Sequence, residues 1–240
     1  FYHDIPDPEK SLFWFAFNAN KRGITLDIES ADGREILKRL VKTADFVVES
    51  FPVGYMDRLG LGCVALSQIN PRIIMVSITP FGQDGPYAEY KDSDIVIMAM
   101  SGYMSLCGEP GRPPVRISVP QSYCHAGADG AVAAMLAHYH RGVTGEGQHV
   151  DVSMQQAALV GAIHNAHLSW DMYHTNLKRT GPFYGIRAET ASANRIIWGC
   201  RDGYVVNYFT AGRYGARSTQ PLIEWMDEEG MAPDFVKAIE

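Results

Sequence analysis

The sequence lacks the features that mark several large classes of protein. It has four cysteines, Cys63, Cys107, Cys124 and Cys200, and their wide spacing without any CxxC pair fits neither a zinc ribbon nor a small disulfide scaffold. No apolar run approaches the roughly 20 residues that a membrane-spanning helix needs. A signal peptide is not expected either, because the chain opens with Phe1-Tyr2-His3-Asp4. These absences predict a cytoplasmic protein with reduced thiols that does not bind membranes.

Positive charge is also scarce. The formal net charge is −6, with 20% charged and 46% hydrophobic residues, which is typical of a globular protein. A general nucleic-acid binder needs a surplus of Lys and Arg to neutralise phosphates, so that class of partner is not expected. Among the eight histidines, His138 and His140 are two residues apart and would point to different sides of a helix. No metal site is therefore predicted.

The hydrophobic pattern of the first 80 residues predicts alternating strands and helices. Strands are predicted at 24–28, 45–49 and 73–78, the last two of them buried, with helices at 31–43 and 64–69 between them. Ser30 and Asp32 offer caps for the first helix. This order with short connections is typical of a parallel α/β sheet, in which ligands bind beyond the carboxyl ends of the strands. The loops at 49–51 and 79–86 are thus candidate binding loops, although their position is equally compatible with simple turns.

The second half of the chain predicts longer helices and then a change of character. Helices are predicted at 94–104, 123–140 and 155–173, with an extended loop at 105–121, a strand at 149–153 and a hairpin at 196–208 that turns at Asp202-Gly203. The helix at 123–140 is rich in Ala and Gly, so we expect it to lie deep in the core. Gly181-Pro182 interrupts the pattern, and we predict a domain boundary near residue 180.

No GxGxxG, Walker loop, HExxH or GxSxG motif is present. A longer series of segments carries more information: NANKRGITLD at 18–27, ADFVVESF at 44–51, RLGL at 58–61, NPRII at 70–74, SITPFGQDGPY at 77–87, Ser101-Gly102, Arg141 and TGEGQHVDVS at 144–153. In this order the segments are similar to those of the class III CoA-transferases, the CaiB/BaiF family that includes formyl-CoA transferase, carnitine CoA-transferase and α-methylacyl-CoA racemase. Each segment alone is weak evidence for the family, but the order and spacing of the segments make the resemblance strong.

The resemblance implies an α/β fold. We expect a CoA-binding, Rossmann-like parallel-sheet large domain over 1–180, the start of a smaller α+β domain over 181–240, and an interlocked dimer. Family members are considerably longer than 240 residues. We therefore expect the usual first strand before Phe1 and much of the small domain after Glu240.

The resemblance also implies a site for coenzyme A. CoA carries a 3′-phosphate, a pyrophosphate and an adenine, so its site needs cations beside a flat apolar surface. By motif match the predicted CoA contacts are Lys21, Arg22, Phe51, Arg58, Leu59, Thr79 and Phe81. Without the resemblance, the Lys21-Arg22 pair is better explained as solvated charge. Two departures from the family pattern, Ser50 for Asn and Pro80 for a more flexible residue, count against a fully preserved site.

The family nucleophile is missing. In active transferases the segment after the 149–153 strand reads S-M-x-D-A, and its Asp attacks the acyl-CoA thioester. Here the segment is Ser153-Met154-Gln155-Gln156-Ala157, so Gln156 occupies the Asp position and no catalytic residue is assigned in this chain. Racemase chemistry is unsupported as well, because Ser93 stands where that activity needs a His. Asp151 and Asp129 are the alternative carboxylates, and both are better explained as structural.

Three hypotheses stay open at this point. The first is a subunit of a class III CoA-transferase that moves CoA between a donor such as succinyl-CoA and a carboxylic acid, paired with a homologous Asp-bearing subunit in a heterodimer or heterotetramer. Benzylsuccinate CoA-transferase is a family member with two different subunits, and the chain resembles its subunit without the nucleophile. The second is a self-sufficient transferase, such as a homodimer, with an unusual nucleophile. The third is a CoA-binding module without catalysis.

Overall fold

The computed structural model describes residues 2–174, 177–184, 194–208 and 212–232. The helices are α1 (Leu12–Phe17), α2 (Ala31–Val41), α3 (Tyr55–Arg58), α4 (Cys63–Ile69), α5 (Asp94–Met100), α6 (Ser122–Thr144), α7 (Met154–Tyr173) and α8 (Gly212–Glu228). The strands are β1 (Phe46–Glu49), β2 (Ile74–Thr79), β3 (His149–Ser153), β4 (Phe183–Tyr184), β5 (Asn194–Arg195), β6 (Ile197–Cys200) and β7 (Gly203–Val206). Within these described ranges, every helix is too short or too polar to cross a bilayer.

The chain divides into two compact units. The first comprises Phe1–Ser77 and Ala133–Val150, and the second comprises Ile78–Val132 and Asp151–Glu240. This division does not test the predicted domain boundary near residue 180, which stays a prediction.

A three-stranded sheet with the order β1-β2-β3 confirms the predicted α/β class. β1 runs parallel to β2, with Phe46 opposite Ile74 and Glu49 opposite Ser77. The central strand β2 is buried, as predicted, whereas Val48 on β1 is 62% exposed. The prediction that β1 is also buried was wrong, because among the described strands it has a neighbour on one side only.

The predicted strand at 24–28 is wrong. Residues 21–27 take no regular secondary structure, and Ile24 is 70% exposed. Of the apolar residues in this segment, Ile28 packs against the core cluster of the first unit. A strand also needs a partner for its backbone groups, and no described strand pairs with this segment. The segment ends at the cap of α2, where the Gly33 N–H donates to Ser30 Oγ at 3.0 Å.

The other predicted elements of the first unit are confirmed, and Arg141 ties their ends together. Its side chain is only 3% exposed, and its Nη1 donates to the Asp45 carbonyl oxygen at 3.1 Å and to the Arg72 carbonyl oxygen at 2.9 Å. Its Nη2 donates to Asp45 Oδ1 at 2.9 Å and lies 2.7 Å from His138 Nδ1. Asp45 and Arg72 stand just before β1 and β2, so this one guanidinium fixes where both strands begin.

The α6 helix is longer than predicted and is not deep in the core. Its small residues form only a narrow buried stripe, which includes Ala126 and Ala137 at 0% exposure. Larger apolar side chains lie on the other faces, and Leu136, Tyr139 and Val143 are 66%, 77% and 75% exposed. The prediction failed because small side chains permit close packing on one face without saying what covers the rest of the helix.

The second unit starts its long helix from a buried carboxylate. Asp94 is 7% exposed, and its Oδ1 accepts from Gln121 N at 2.8 Å, Ser122 N at 3.0 Å and Ser122 Oγ at 2.9 Å. The predicted helix at 94–104 is shorter than expected, since α5 ends at Met100 before a left-handed Gly102. These bonds give Asp94 a structural role at the α6 N-terminus.

The remaining predictions for the second unit hold with small shifts. The strand at His149–Ser153 is confirmed, and α7 begins at Met154, one residue before the predicted start. β6 and β7 form the predicted antiparallel hairpin, but Cys200 pairs with Gly203. The turn therefore consists of Arg201 and Asp202 rather than Asp202 and Gly203.

Candidate functional site

A cavity in the first unit lies where the sequence predicts a binding loop. Its volume is about 460 Å³, and it opens between the segment before α2, the end of β1 and the start of α3. The lining residues are Leu26, Asp27, Ile28, Glu29, Leu37, Val47, Val48, Glu49, Phe51, Tyr55 and Met56. Because β1 belongs to a parallel sheet, this position at its carboxyl end fits the general rule for α/β ligand sites.

An aromatic pair with a cation borders this cavity. The Phe51 ring stacks on Tyr55 with a centroid distance of 4.8 Å and an interplanar angle of 28°. The Arg58 guanidinium carbon lies 5.7 Å from the Tyr55 ring centroid. A positive φ of 73° at Gly54 turns the chain into α3 and so sets this spacing. A flat apolar surface next to a fixed cation suits a base linked to a phosphate.

Sequence reasoning missed Tyr55, which connects the two predicted contacts Phe51 and Arg58. Part of this arrangement has a signal in the sequence, because Tyr55 and Arg58 are three residues apart, which is the spacing of neighbours on a helical turn, whereas Phe51 lies before α3. Tyr55 is further oriented by its hydroxyl, which donates to Glu29 Oε1 at 2.9 Å. This hydrogen bond to a carboxylate is the main reason that the pKa of Tyr55 is raised above its ordinary value.

The other predicted contacts of the first unit lie elsewhere. Lys21 is exposed and its Nζ donates to the Phe17 carbonyl oxygen at 2.6 Å and to Asn18 Oδ1 at 3.2 Å, so it closes the end of α1. Arg22 is exposed beside it. Leu59 is half-buried and packs against the core cluster. The structure therefore brings together Phe51 and Arg58, and places Leu59 behind them as support.

In the second unit, the predicted contacts Thr79 and Phe81 lie at the end of β2. Phe81 is 9% exposed and meets the rings of Tyr87 and Tyr90 edge-on, each at a centroid distance of 6.3 Å. Thr79 is fully buried, and its Oγ1 has no hydrogen-bond partner among the described residues. A buried hydroxyl without a partner is uncommon in folded proteins.

Asp151 holds the loop that follows β2. Its Oδ2 accepts from the Gln83 N–H at 2.9 Å, and the Cβ that a side chain would add at Gly82 would stand 3.5 Å from the same oxygen. The Gln155 N–H donates to the Pro80 carbonyl oxygen at 3.0 Å, which fixes the other side of the loop to the start of α7. The hydrogen bond from the Gln83 N–H gives Asp151 a structural role in this loop.

Gln156 lies in the first turn of α7, immediately after the residue that binds Pro80. Its N–H donates to Ser153 Oγ at 3.4 Å, its side chain is exposed, and within the described part of the chain that side chain has no hydrogen-bond partner. Gln155 differs, because its Nε2 donates to the Met100 carbonyl oxygen at 3.0 Å. The second unit thus places Gln156 near Thr79 and Phe81, with its amide turned to solvent.

Comparison with known proteins agrees with these features. The sequence profile described as CoA-transferase family III matches residues 2–238. Subunit BbsE of succinyl-CoA:(R)-benzylsuccinate CoA-transferase from Thauera aromatica is 37% identical over 230 residues, 96% of this chain and 54% of the relative. Formyl-CoA:oxalate CoA-transferase from Streptomyces avermitilis is 40% identical over 156 residues, 65% of this chain and 38% of the relative.

Solved structures are also similar to this chain. A CaiB/BaiF family protein from Brucella suis superposes with a TM-score of 0.69 at 32% identity, covering 88% of this chain and 52% of that one. The Mycobacterium tuberculosis protein Rv3272 superposes with a TM-score of 0.63 at 27% identity, covering 86% and 52%. The chain spans about half the length of the relatives that it matches most fully. Because the family profile covers nearly all of the sequence, the chain belongs to CoA-transferase family III.

Proposed function

We propose that this chain is the non-nucleophilic subunit of a class III CoA-transferase. In this proposal the assembly moves CoA between an acyl-CoA donor, such as succinyl-CoA, and a carboxylic acid, and a homologous subunit supplies the catalytic Asp. One observation carries the proposal: a neutral amide, Gln156, occupies the family nucleophile position in the first turn of α7.

The reaction explains why this position matters. The carboxylate of the nucleophilic Asp attacks the thioester carbonyl carbon, the C–S bond breaks, and a mixed anhydride and the CoA thiolate form. The thiolate then attacks the aspartyl carbonyl, which releases the donor acid and leaves an enzyme–CoA thioester. The acceptor carboxylate attacks that thioester, which releases the CoA thiolate and leaves a second mixed anhydride between the Asp and the acceptor. The thiolate then attacks the acceptor carbonyl carbon of this anhydride, which forms the product thioester and regenerates the Asp carboxylate. An amide has no ionised oxygen for the first step, but it still donates and accepts hydrogen bonds.

Binding of the CoA moiety is proposed at the residues that the motifs select. In the first unit, the stacked Phe51 and the Arg58 guanidinium beside Tyr55 suit the nucleotide end of CoA. Lys21, Arg22 and Leu59 complete the proposed set there, with the two cations acting from exposed positions. In the second unit, the proposed contacts are Thr79 and Phe81, next to Gln156. We do not assign a metal to this chemistry.

One relative supports a multisubunit assembly. The Thauera aromatica protein, which matches 96% of this chain, is itself a subunit of a CoA-transferase. The same proposal includes an interlocked dimer with a homologous partner and a cytoplasmic location. It also includes a division near residue 180 into a Rossmann-like large domain and a smaller domain.

Co-purification tests the proposal directly. The full-length protein, carrying an affinity tag and isolated from its own cells, should bring down a partner of the same family with Asp in its S-M-x-D segment. The pair should transfer CoA from succinyl-CoA to an acid, and the chain alone should not. Transfer by the isolated chain would contradict the proposal and favour an unusual nucleophile. Tight CoA binding with neither partner nor transfer would instead indicate a binding module.

A further inference from the structure

Two buried polar side-chain atoms lack a hydrogen-bond partner within the described part of the chain. They are Thr79 Oγ1 and Gln83 Nε2, and both belong to the segment 79–83, which begins at the last residue of β2. A buried hydroxyl or amide without a partner is unfavourable, because it has lost its hydrogen bonds to water and gained none in the protein. Folded proteins keep few such groups. Two of them in one segment indicate a place where a ligand supplies the missing partner.

The backbone of this segment is already held in place. Asp151 Oδ2 accepts from the Gln83 N–H at 2.9 Å, and the Pro80 carbonyl oxygen accepts from the Gln155 N–H at 3.0 Å. Gln83 as a whole is half-buried, so rotation about its side-chain torsions brings Nε2 to the surface while Asp151 still holds the backbone. A ligand can therefore meet this amide without a change in the fold.

The same segment borders the start of α7. A Cβ added at Gly82, which precedes Gln83, would stand 3.9 Å from Ser153 Cβ, and Ser153 Oγ accepts from the Gln156 N–H at 3.4 Å. In the proposed function, Gln156 occupies the position at which the family nucleophile meets the thioester of acyl-CoA. The segment with the unpaired amide thus lies beside the expected position of the acyl group.

The chemistry of the segment favours a neutral acceptor. Gln83 Nε2 is a donor, so the missing partner must accept a hydrogen bond. Asp151 brings a negative charge to the same segment, since its Oδ2 is 3.5 Å from the position of a Gly82 Cβ, and this charge opposes a carboxylate more than a carbonyl. The thioester carbonyl oxygen is a neutral acceptor that every acyl-CoA carries and free CoA lacks. The amide carbonyls of the pantetheine arm are neutral too, but both ligands carry them.

We propose that Gln83 is a substrate-binding residue whose Nε2 donates to the thioester carbonyl oxygen of acyl-CoA. The chain then binds the acyl group as well as the CoA moiety, although it lacks the nucleophile. This inference rests on the proposed function, which places a CoA thioester beside Gln156. The unliganded protein keeps the amide unpaired, and the hydrogen bond forms only with the ligand. Removal of the amide should therefore stabilise the free protein and weaken the binding of acyl-CoA.

Thermal unfolding and isothermal titration calorimetry of the full-length protein test both effects, with succinyl-CoA and CoA as separate ligands. Gln83→Met keeps the length of the side chain without the donor, and it should raise the unfolding temperature of the free protein by about 1–4 °C. It should weaken succinyl-CoA binding by about threefold to tenfold and change CoA binding by less than about twofold. Gln83→Glu also lacks the donor and should weaken succinyl-CoA binding at least as much. The matched control Gln68→Met, at an exposed position on α4, should change none of these values.

The outcomes separate this inference from the proposed function. A more stable Gln83→Met variant that binds succinyl-CoA as tightly as the unaltered protein would overturn the inference and leave CoA binding intact. Equal losses of succinyl-CoA and CoA binding would place the contact on the CoA moiety and overturn the assignment to the acyl group. A lower unfolding temperature with unchanged binding would indicate that a buried water pairs with Gln83, which also overturns the inference. Failure of the unaltered protein to bind either ligand would overturn both the inference and the proposed CoA site.

Discussion

Replacing Gln156 with Asp should restore the family nucleophile without disturbing the fold. Gln156 is exposed, and its side chain makes no hydrogen bond within the described part of the chain, so its replacement removes no such hydrogen bond. It is the third residue of α7, where a negative charge interacts favourably with the unpaired N–H groups of the first turn. The free energy of unfolding should therefore rise by about 0.3–1 kcal/mol.

The new carboxylate should also be reactive. An Asp side chain has an ordinary pKa of about 3.9, and the positive end of a helix favours its charged form further, so it is ionised at neutral pH. Incubation of Gln156→Asp with succinyl-CoA, in the assembly that binds CoA, should give a covalent adduct on this chain by intact-protein mass spectrometry. The unaltered chain should show no added mass.

A matched control lies one residue away. Gln155→Asp places the same charge in the same turn but removes the hydrogen bond from Gln155 Nε2 to the Met100 carbonyl oxygen, a loss of about 1 kcal/mol that offsets the gain from the charge, so the free energy of unfolding should change little. It should form no adduct, because position 155 is not the family nucleophile position. An unreactive Gln156→Asp that still binds CoA would refute the argument that a single amide silences this chain. Equal adducts at both positions would refute the assignment of the nucleophile position.

Three other predictions concern the supporting structure. Arg141→Met should lower the free energy of unfolding, measured by chemical denaturation, by about 2–4 kcal/mol, because it removes the hydrogen bonds to the Arg72 carbonyl oxygen and to Asp45. The control Arg39→Met, at an exposed position, should change this free energy by less than about 0.5 kcal/mol. Asp151→Ala should weaken CoA binding, because it loosens the loop after β2. Asp151→Asn should keep the CoA affinity, because its amide oxygen still accepts from Gln83 N. Identical CoA affinities for the two variants would contradict this positioning role. Because the pKa of Tyr55 is raised, its hydrogen bond to Glu29 stabilises the fold fully below the ordinary tyrosine pKa of 10.0, and this stabilisation is lost as pH rises through the higher pKa of Tyr55 in the folded protein. Ultraviolet difference titration of the protein against Tyr55→Phe measures that pKa. A Tyr55 that ionises at or below pH 10.0 would contradict the prediction.

The sequence predicted elements well where pattern and local chemistry agree. Ser30 caps α2 as expected, and the apolar run of β2 is buried between its neighbouring strands. The segment at 24–28 was misassigned because the alternation of apolar residues does not reveal whether a backbone partner exists, and one of those residues, Ile24, is exposed. The α6 prediction failed for a related reason, since a stripe of alanines describes one face of a helix and leaves the exposure of Leu136 and Tyr139 undetermined.

The candidate site was predictable only in part. Family motifs selected Phe51 and Arg58 on either side of Tyr55, but the stacking that joins them depends on the turn at Gly54. The position of Glu29 and Glu49 in the lining of the cavity was not anticipated, because the two residues come from separate segments that approach each other only after folding. Asp151, by contrast, was correctly expected to be structural.

The central claim is that covalent chemistry occurs on the partner and not on this chain. Intact-protein mass spectrometry of the complete assembly, quenched after exposure to succinyl-CoA alone, measures this directly. The account predicts an acyl or CoA adduct on the Asp-bearing subunit and an unchanged mass for this chain. An adduct on this chain, with its partner unmodified, would contradict the account.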